Sequence, residues 1–292
     1  MVKTLSDPII HPVTKSLLQE VLEQPPNSLG LMGTSGIGRK TIAQWLIRKI
    51  TNNPKIDLGD SQFTKLIVSE NNISIKIEQI HEINNFVKLK TAGTNDHRRF
   101  VVIDNADLLT DDAQNALLSL LEEPPLDTMI ILTIENPENI LPTVLSRIQT
   151  ISIKKPTRDQ LKGQFGIETK DFDRLYALTD GLPGLLQSIQ DDPDNHPLTV
   201  ALEKARDLLA KKTYDRLISI NELTSDKNET KILLDVLVRL SKVSINTSVN
   251  KSDQLSADKW LKILSASVDA REALRLNANP KLTLTDLFLN LV

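Results

Sequence analysis

The chain of 292 residues contains no cysteine, which excludes disulfides and every zinc site built on thiolates. It has no stretch of about 20 consecutive apolar residues, so no membrane-spanning helix is expected. The first residues, MVKTLSDPIIHP, lack an apolar core of signal-peptide length, and a cytoplasmic location is expected. Charge of one sign is scarce too. A net charge of −3 excludes a protein that coats nucleic acid through general basicity, so any DNA contact must come from a local patch or a shared surface. His11, His81, His97 and His196 are scattered without metal-ligand spacing, and no metal site is expected. There is no internal repeat and no low-complexity tract. What remains is ordinary: 40% hydrophobic and 25% charged residues, in a length that suggests two or three domains.

Periodicity then divides the chain. His11 to Glu23 carries Val13, Leu17, Leu18, Val21 and Leu22 on a helical stripe, ended by Pro25-Pro26. Strands are expected at Ser28–Met32, Phe63–Ser69, Phe100–Ile103, Met129–Ile134 and Thr150–Ile153. Helices are expected at Lys40–Ile50 and Ile77–Lys88, and from a Thr110 cap as far as Glu123, where Pro124-Pro125 stops the pattern. Strands of near-continuous apolar character alternating with helices predict an α/β fold with a parallel sheet covered on both faces. After Lys155-Pro156 the strand signals stop. Short helices are expected over 157–190, a polar hinge at DDPDNHP (191–197), and helices throughout from Leu198 to Val292.

Two motifs carry chemistry, and both are damaged. Residues 29–43, LGLMGTSGIGRKTIA, read as a strand, a glycine-rich turn and a helix start. A phosphate loop of the form G-x-x-x-x-G-K-[ST] uses backbone amides and a lysine on the phosphates and a hydroxyl on Mg2+. Gly33, Gly36 and Gly38 keep the turn, but Arg39 stands at the lysine position, Lys40 at the hydroxyl position, and Thr41 one place beyond. A planar guanidinium does not fit a lysine-shaped notch, and an ammonium repels the metal. The run Phe100–Ile103 ends in Asp104, where an ATPase holds its Mg2+-coordinating carboxylate, followed by Asn105 where the water-orienting glutamate belongs. An amide cannot serve as that base. The backbone amides could still hold an anion weakly; productive nucleotide binding at Gly33, Gly36, Gly38, Arg39, Lys40, Thr41, Asp104 and Asn105 is doubtful.

The blocks DNADLLTDDAQNALLSLLEEPP (104–125), ILPTVLSR (140–147), GTSGIGRK (33–40) and ISIKIEQIHEINNFVKLK (73–90) stand in an order and spacing that resemble the delta-prime family of bacterial DNA polymerase III clamp-loader subunits. The resemblance covers roughly residues 30–150. It implies an AAA+ module (1–155), a small helical lid (156–192) and a helical collar for oligomerisation (193–292). It implies no hydrolysis in cis, with ATP and Mg2+ held by neighbouring subunits. The implied partners are ATPase sister subunits, a clamp-opening subunit, and, through the complex, the sliding clamp and primer-template DNA. Many subunits of this type carry a four-cysteine zinc module after the phosphate loop; residues 51–65 are too short for it and hold none of its ligands. The lid segment GLPGLL (181–186) offers Leu185 where a nucleotide-sensing arginine would stand.

Within the resemblance, Arg147 of the Ser146-Arg147 pair is the residue expected to be chemically active. It would be an arginine finger reaching a neighbour's γ-phosphate. The family motif continues with cysteine, here Ile148. The plain alternative is a surface arginine in a salt bridge. Arg98-Arg99 could touch DNA phosphate, although solvated charge at a strand start is the simpler reading. Trp45 and Trp260 fall at helical spacing among apolar neighbours and are expected in a core or interface. Two rival functions stay open: an ATP-hydrolysing gamma/tau-type subunit, and a P-loop kinase or pseudo-ATPase outside replication.

Overall fold

Apolar runs of this kind bury both faces of a sheet, and the computed structural model of the protein, which describes residues 7–59, 62–69, 73–88, 99–125, 127–166 and 169–291, contains such a sheet. By its internal contacts the chain forms two units, Met1–Gln164 and Phe165–Val292. The first runs through α1 (Pro12–Glu23), β1 (Ser28–Met32), α2 (Arg39–Ile50), β2 (Thr64–Ile67), α3 (Ile77–Lys88), β3 (Arg99–Ile103), α4 (Asp111–Glu122), β4 (Thr128–Ile134), α5 (Pro142–Leu145), β5 (Gln149–Ser152) and α6 (Arg158–Phe165). The five strands are all parallel, in the order β2-β3-β4-β1-β5.

Strand alternation builds two cores. Val101 and Ile103 of β3 and Ile130 and Leu132 of β4 meet Ile80, Ile83, Leu117 and Val144 from α3, α4 and α5. Phe100, Val102, Met129 and Ile131 face the other way, onto Leu18, Val21, Ile42 and Leu46 of α1 and α2. Each such side chain contributes about 1.5–3 kcal/mol on burial. Thr110 caps α4 by accepting from the Ala113 amide, as its sequence position predicts. Met32 pairs with Ile134 and Ile103 with Leu132, so β1, β3 and β4 end side by side. That carboxyl edge is where open parallel sheets place their ligand sites.

The second unit is helical: α7 (Thr169–Thr179), α8 (Pro183–Asp191), α9 (Pro197–Ala210), α10 (Thr213–Ile218), α11 (Ile220–Leu223), α12 (Lys227–Asn250), α13 (Gln254–Arg275) and α14 (Pro280–Asn290). Among the described residues no strand follows Ser152. Leu178 of α7 and Ile189 of α8 share one core with Leu202, Leu234, Leu237, Ile263 and Phe288, and Leu185 and Trp260 pack against it. Buried Arg216 donates to the carbonyls of Leu208 at 2.8 Å and Leu291 at 2.9 Å, tying the ends of α9 and α14. The segment expected as a hinge is a short turn. It is closed by His196, whose Nδ1 accepts from the Leu198 amide at 3.2 Å at the start of α9. His11 caps α1 in the same way, accepting from Val13 at 3.2 Å. No helix among the described residues is long and apolar enough to cross a membrane.

Candidate functional site

The phosphate-loop residues keep the expected backbone. The Gly33 amide donates to the Ile134 carbonyl at 3.0 Å, fixing the loop to the end of β4. Gly36 and Gly38 both have positive φ, 80° and 95°, and Gly38 is the residue from which α2 starts. A side chain at Gly38 would strain that left-handed turn even though space around it is open. Thr41 lies half-buried in the first turn of α2.

The side chains beside this turn are committed to one another. Arg39 is buried, and its Nη2 donates to Asn105 Oδ1 at 2.9 Å and to Glu135 Oε2 at 3.2 Å. Its Nη1 is buried, with no hydrogen-bond partner among the described residues. Lys40 Nζ lies 3.5 Å from Asp104 Oδ2, with side chains 47% and 18% exposed. Thr133 at the end of β4 donates to Asp104 Oδ1 at 2.7 Å and accepts from the Asn105 amide at 2.8 Å. Asn105 itself is in the left-handed region, φ 54° and ψ 58°, which asparagine tolerates better than most residues. The side-chain oxygen and the backbone amide of Asn105 thus both serve structure. The Lys40 ammonium puts positive charge against the carboxylate that a divalent cation would need, so the residues present do not fit Mg2+. Among the described residues no group of three or more His, Cys, Asp or Glu side chains could hold a metal ion.

The site continues along α4 to Arg147. Buried Asp107, just after Asn105, accepts from the Glu135 amide at 2.9 Å and from Asn136 Nδ2 at 3.1 Å. Buried Gln114 accepts from the Leu141 amide at 2.7 Å and donates to the carbonyls of Asn139 at 2.9 Å and Leu109 at 3.2 Å. At the last residue of α4, Glu122 Oε1 lies 2.6 Å from Arg147 Nη2. The blocks 104–125 and 133–147 are therefore laced together in chain order. Arg147 follows α5, is exposed, and also donates from Nη1 to the Thr143 carbonyl at 2.9 Å. Ile148 is buried against Gly30, where a Cβ would lie 2.9 Å from its Cδ1. The larger residue after the arginine has its space because β1 carries glycine there.

The fold brings Arg39, Lys40, Asp104 and Asn105 together beside the turn of Gly33, Gly36 and Gly38, with Thr41 in the first turn of α2. No motif in the sequence singles out Thr133, Glu135, Asp107, Gln114 or Glu122. A signal for Gln114 existed: a polar residue on the stripe of Leu117 and Leu121, three and seven positions on. Arg99 is a correction. It is neither solvated nor presented to DNA but buried at the start of β3, bidentate to Asp127 at 2.9 and 3.0 Å and donating to the Phe86 carbonyl at 3.1 Å. The hydrogen bond from Arg99 holds the Asp127 carboxyl below the usual range, against the opposing effect of burial. Arg98 and His97 lie outside the described residues. Trp45 is half-buried and donates to Asp7 Oδ1 at 2.9 Å.

DNA polymerase III subunit delta' of Bacillus subtilis (strain 168) is 38% identical over 85 residues, 29% of this chain and 25% of that protein. The Escherichia coli (strain K12) subunit delta' is 29% identical over 227 residues, 70% of this chain and 68% of its own. A DNA polymerase III gamma subunit-related protein from Thermotoga maritima superposes with a TM-score of 0.51 at 19% identity, covering 94% of this chain and 97% of that one. At that identity the likeness concerns the fold alone, a parallel α/β sheet unit followed by a helical one. The sequence model of the family described as DNA polymerase III, delta subunit, matches residues 11–157, half of the chain. The chain belongs to the DNA polymerase III, delta subunit family.

Proposed function

We propose that this protein is a non-hydrolysing clamp-loader subunit of the delta-prime kind, which supplies Arg147 in trans to the ATP site of a neighbouring ATPase subunit. The observation that carries the reading is the internal pairing of Lys40 with Asp104 and of Arg39 with Asn105 and Glu135. Hydrolysis at a phosphate loop needs a cation on the β/γ-phosphates, a divalent metal between hydroxyl and carboxylate, and a group that orients water. Here each of the three positions holds a side chain occupied with a neighbour in the fold. No step of hydrolysis is assigned to this chain, and it carries no nucleotide or metal of its own.

Arg147 has what its own site lacks. It is exposed, and its ion pair with Glu122 exchanges readily, since an exposed ion pair contributes about 0–1 kcal/mol. Against the developing charge of a phosphoryl-transfer transition state, an arginine delivered by a neighbour contributes about 10³–10⁵ in rate. The protein would work in the cytoplasm as one member of a hetero-oligomer. Its partners would be the ATPase sister subunits and a clamp-opening subunit, with which it loads a sliding clamp onto primer-template DNA. Two measurements test this together. The isolated protein should release phosphate from ATP at the rate of a protein-free blank, and it should co-purify with polymerase III ATPase subunits. Mg2+-dependent turnover abolished by Asp104→Ala would instead make it an ATPase subunit. Failure to find those partners would move it outside replication.

A further inference from the structure

Resting on the finger reading of Arg147, we infer that Glu122 is its positioning residue: the carboxylate at the end of α4 holds the guanidinium in the orientation from which it meets the neighbour's phosphate. Four observations converge. Glu122 is the only acidic side chain paired with Arg147 among the described residues, and the contact is close, 2.6 Å between Oε1 and Nη2. The opposite side of the fork is fixed by the Thr143 carbonyl at 2.9 Å, with Ser146 Oγ at 3.4 Å, so the planar group is gripped at two of its nitrogens. The backbone that carries Arg147 is anchored at both ends. Gln114 binds Asn139 and Leu141 before α5, and Ile148 is seated on Gly30 after it. Finally, α4 is itself anchored, because Leu117, Leu120 and Leu121 sit in the core. Glu122 therefore projects from a rigid element onto a side chain that would otherwise be held through one nitrogen only by its own turn.

An arginine side chain loses substantial rotamer freedom when it is ordered. A partner that orders it before the phosphate arrives removes that loss from the catalytic step. The pair is half-exposed, 36% for Arg147 and 50% for Glu122, so its attraction is weak enough to yield to phosphate. The remaining N–H groups of the fork have no partner among the described residues, which leaves an edge for phosphate oxygens.

The test uses the reconstituted complex and its DNA-stimulated ATPase, with Glu122→Ala, Glu122→Gln, Arg147→Ala and the Glu122→Ala/Arg147→Ala pair. Arg147→Ala should lower turnover. Glu122→Ala should lower kcat by about five-fold while leaving the KM for ATP unchanged. Glu122→Gln, which keeps an acceptor but no charge, should fall between Glu122→Ala and wild type. The double variant should match Arg147→Ala alone, since a positioning residue has nothing to position once the finger is gone. If Arg147→Ala slows the complex and Glu122→Ala does not, the inference falls and the finger reading stands. If Glu122→Ala slows it further without Arg147, Glu122 acts elsewhere and the inference falls. A faster Glu122→Ala complex would make the carboxylate a brake, again overturning it. An unaffected Arg147→Ala complex removes both the reading and the inference.

Discussion

Lys40 Nζ stands 3.5 Å from one oxygen of Asp104 while the Thr133 hydroxyl binds the other at 2.7 Å. The lysine that the phosphate loop lacks at its usual position is thus present one residue later, and it faces the carboxylate. With the lysine side chain 47% exposed, the pair contributes little to stability. Its consequence is positional: the Asp104 carboxylate already has a cation beside it.

A binding prediction follows from that arrangement. A ligand present at about 100 times its Kd adds about 2.7 kcal/mol to stability, which for a unit of this size raises Tm by several degrees. Millimolar ATP with Mg2+ should leave the melting curve of the isolated protein unchanged. A rise of about 5 °C that requires both components would show a competent site.

Gln114 supports a second prediction. Its amide satisfies the Leu141 amide and the carbonyls of Asn139 and Leu109 from a buried position. Gln114→Leu preserves approximate volume but leaves these groups unpaired, at about 1–3 kcal/mol each before relaxation. We expect a loss of about 2–4 kcal/mol in urea unfolding of the protein, and faster proteolysis around residues 137–147. A change under about 0.5 kcal/mol, the usual range for surface substitutions, would show that the loop is held by other contacts.

The sequence carried the framework of this fold because its signals are local. Phe100–Ile103 is apolar at every position, and Thr110, Pro124 and Pro125 bound α4 with residues whose backbone preferences act on their own. The glycine turn before α2 was legible for the same reason, since its geometry depends on glycines two and three positions apart. The partners were not legible. Arg39 finds Glu135 across 96 residues, and Arg99 finds Asp127 across 28, distances at which only the register of the sheet decides who meets whom. Arg99 reads as solvated in sequence because the residue before the strand is also basic, while the acid that buries it lies on the next strand's entry. The two capping histidines escaped notice because the familiar N-cap residues are Ser, Thr, Asp and Asn. Yet His11-Pro12 and His196-Pro197 place a ring nitrogen acceptor before a first-turn proline just as those residues would place an oxygen.

His196 gives a pH prediction. Burial lowers its pKa below the ordinary 6.5, with Asp192 pulling weakly the other way. The cap needs a neutral ring, because Nδ1 accepts from the Leu198 amide. A folded pKa below the unfolded one means that the unfolded state binds the proton first. The contribution to stability is therefore complete above about pH 6.5 and is lost as pH falls through the folded value. His196→Asn, which can cap without titrating, should flatten the dependence of Tm on pH between about 5 and 7. An equally steep profile in the variant would assign that dependence to another group.

The central claim is that Arg147 acts on a nucleotide this chain does not hold. It is tested most directly by the DNA-stimulated ATPase of the complex reconstituted with Arg147→Ala. The account predicts a partial loss of turnover, because sister sites would keep their own arginines, with assembly on a sizing column intact. Arg147→Lys should rescue poorly, since a point charge cannot reproduce the forked contact with phosphate oxygens. ATPase and clamp-loading rates equal to wild type in the alanine variant would contradict the account and leave Arg147 an ordinary surface residue.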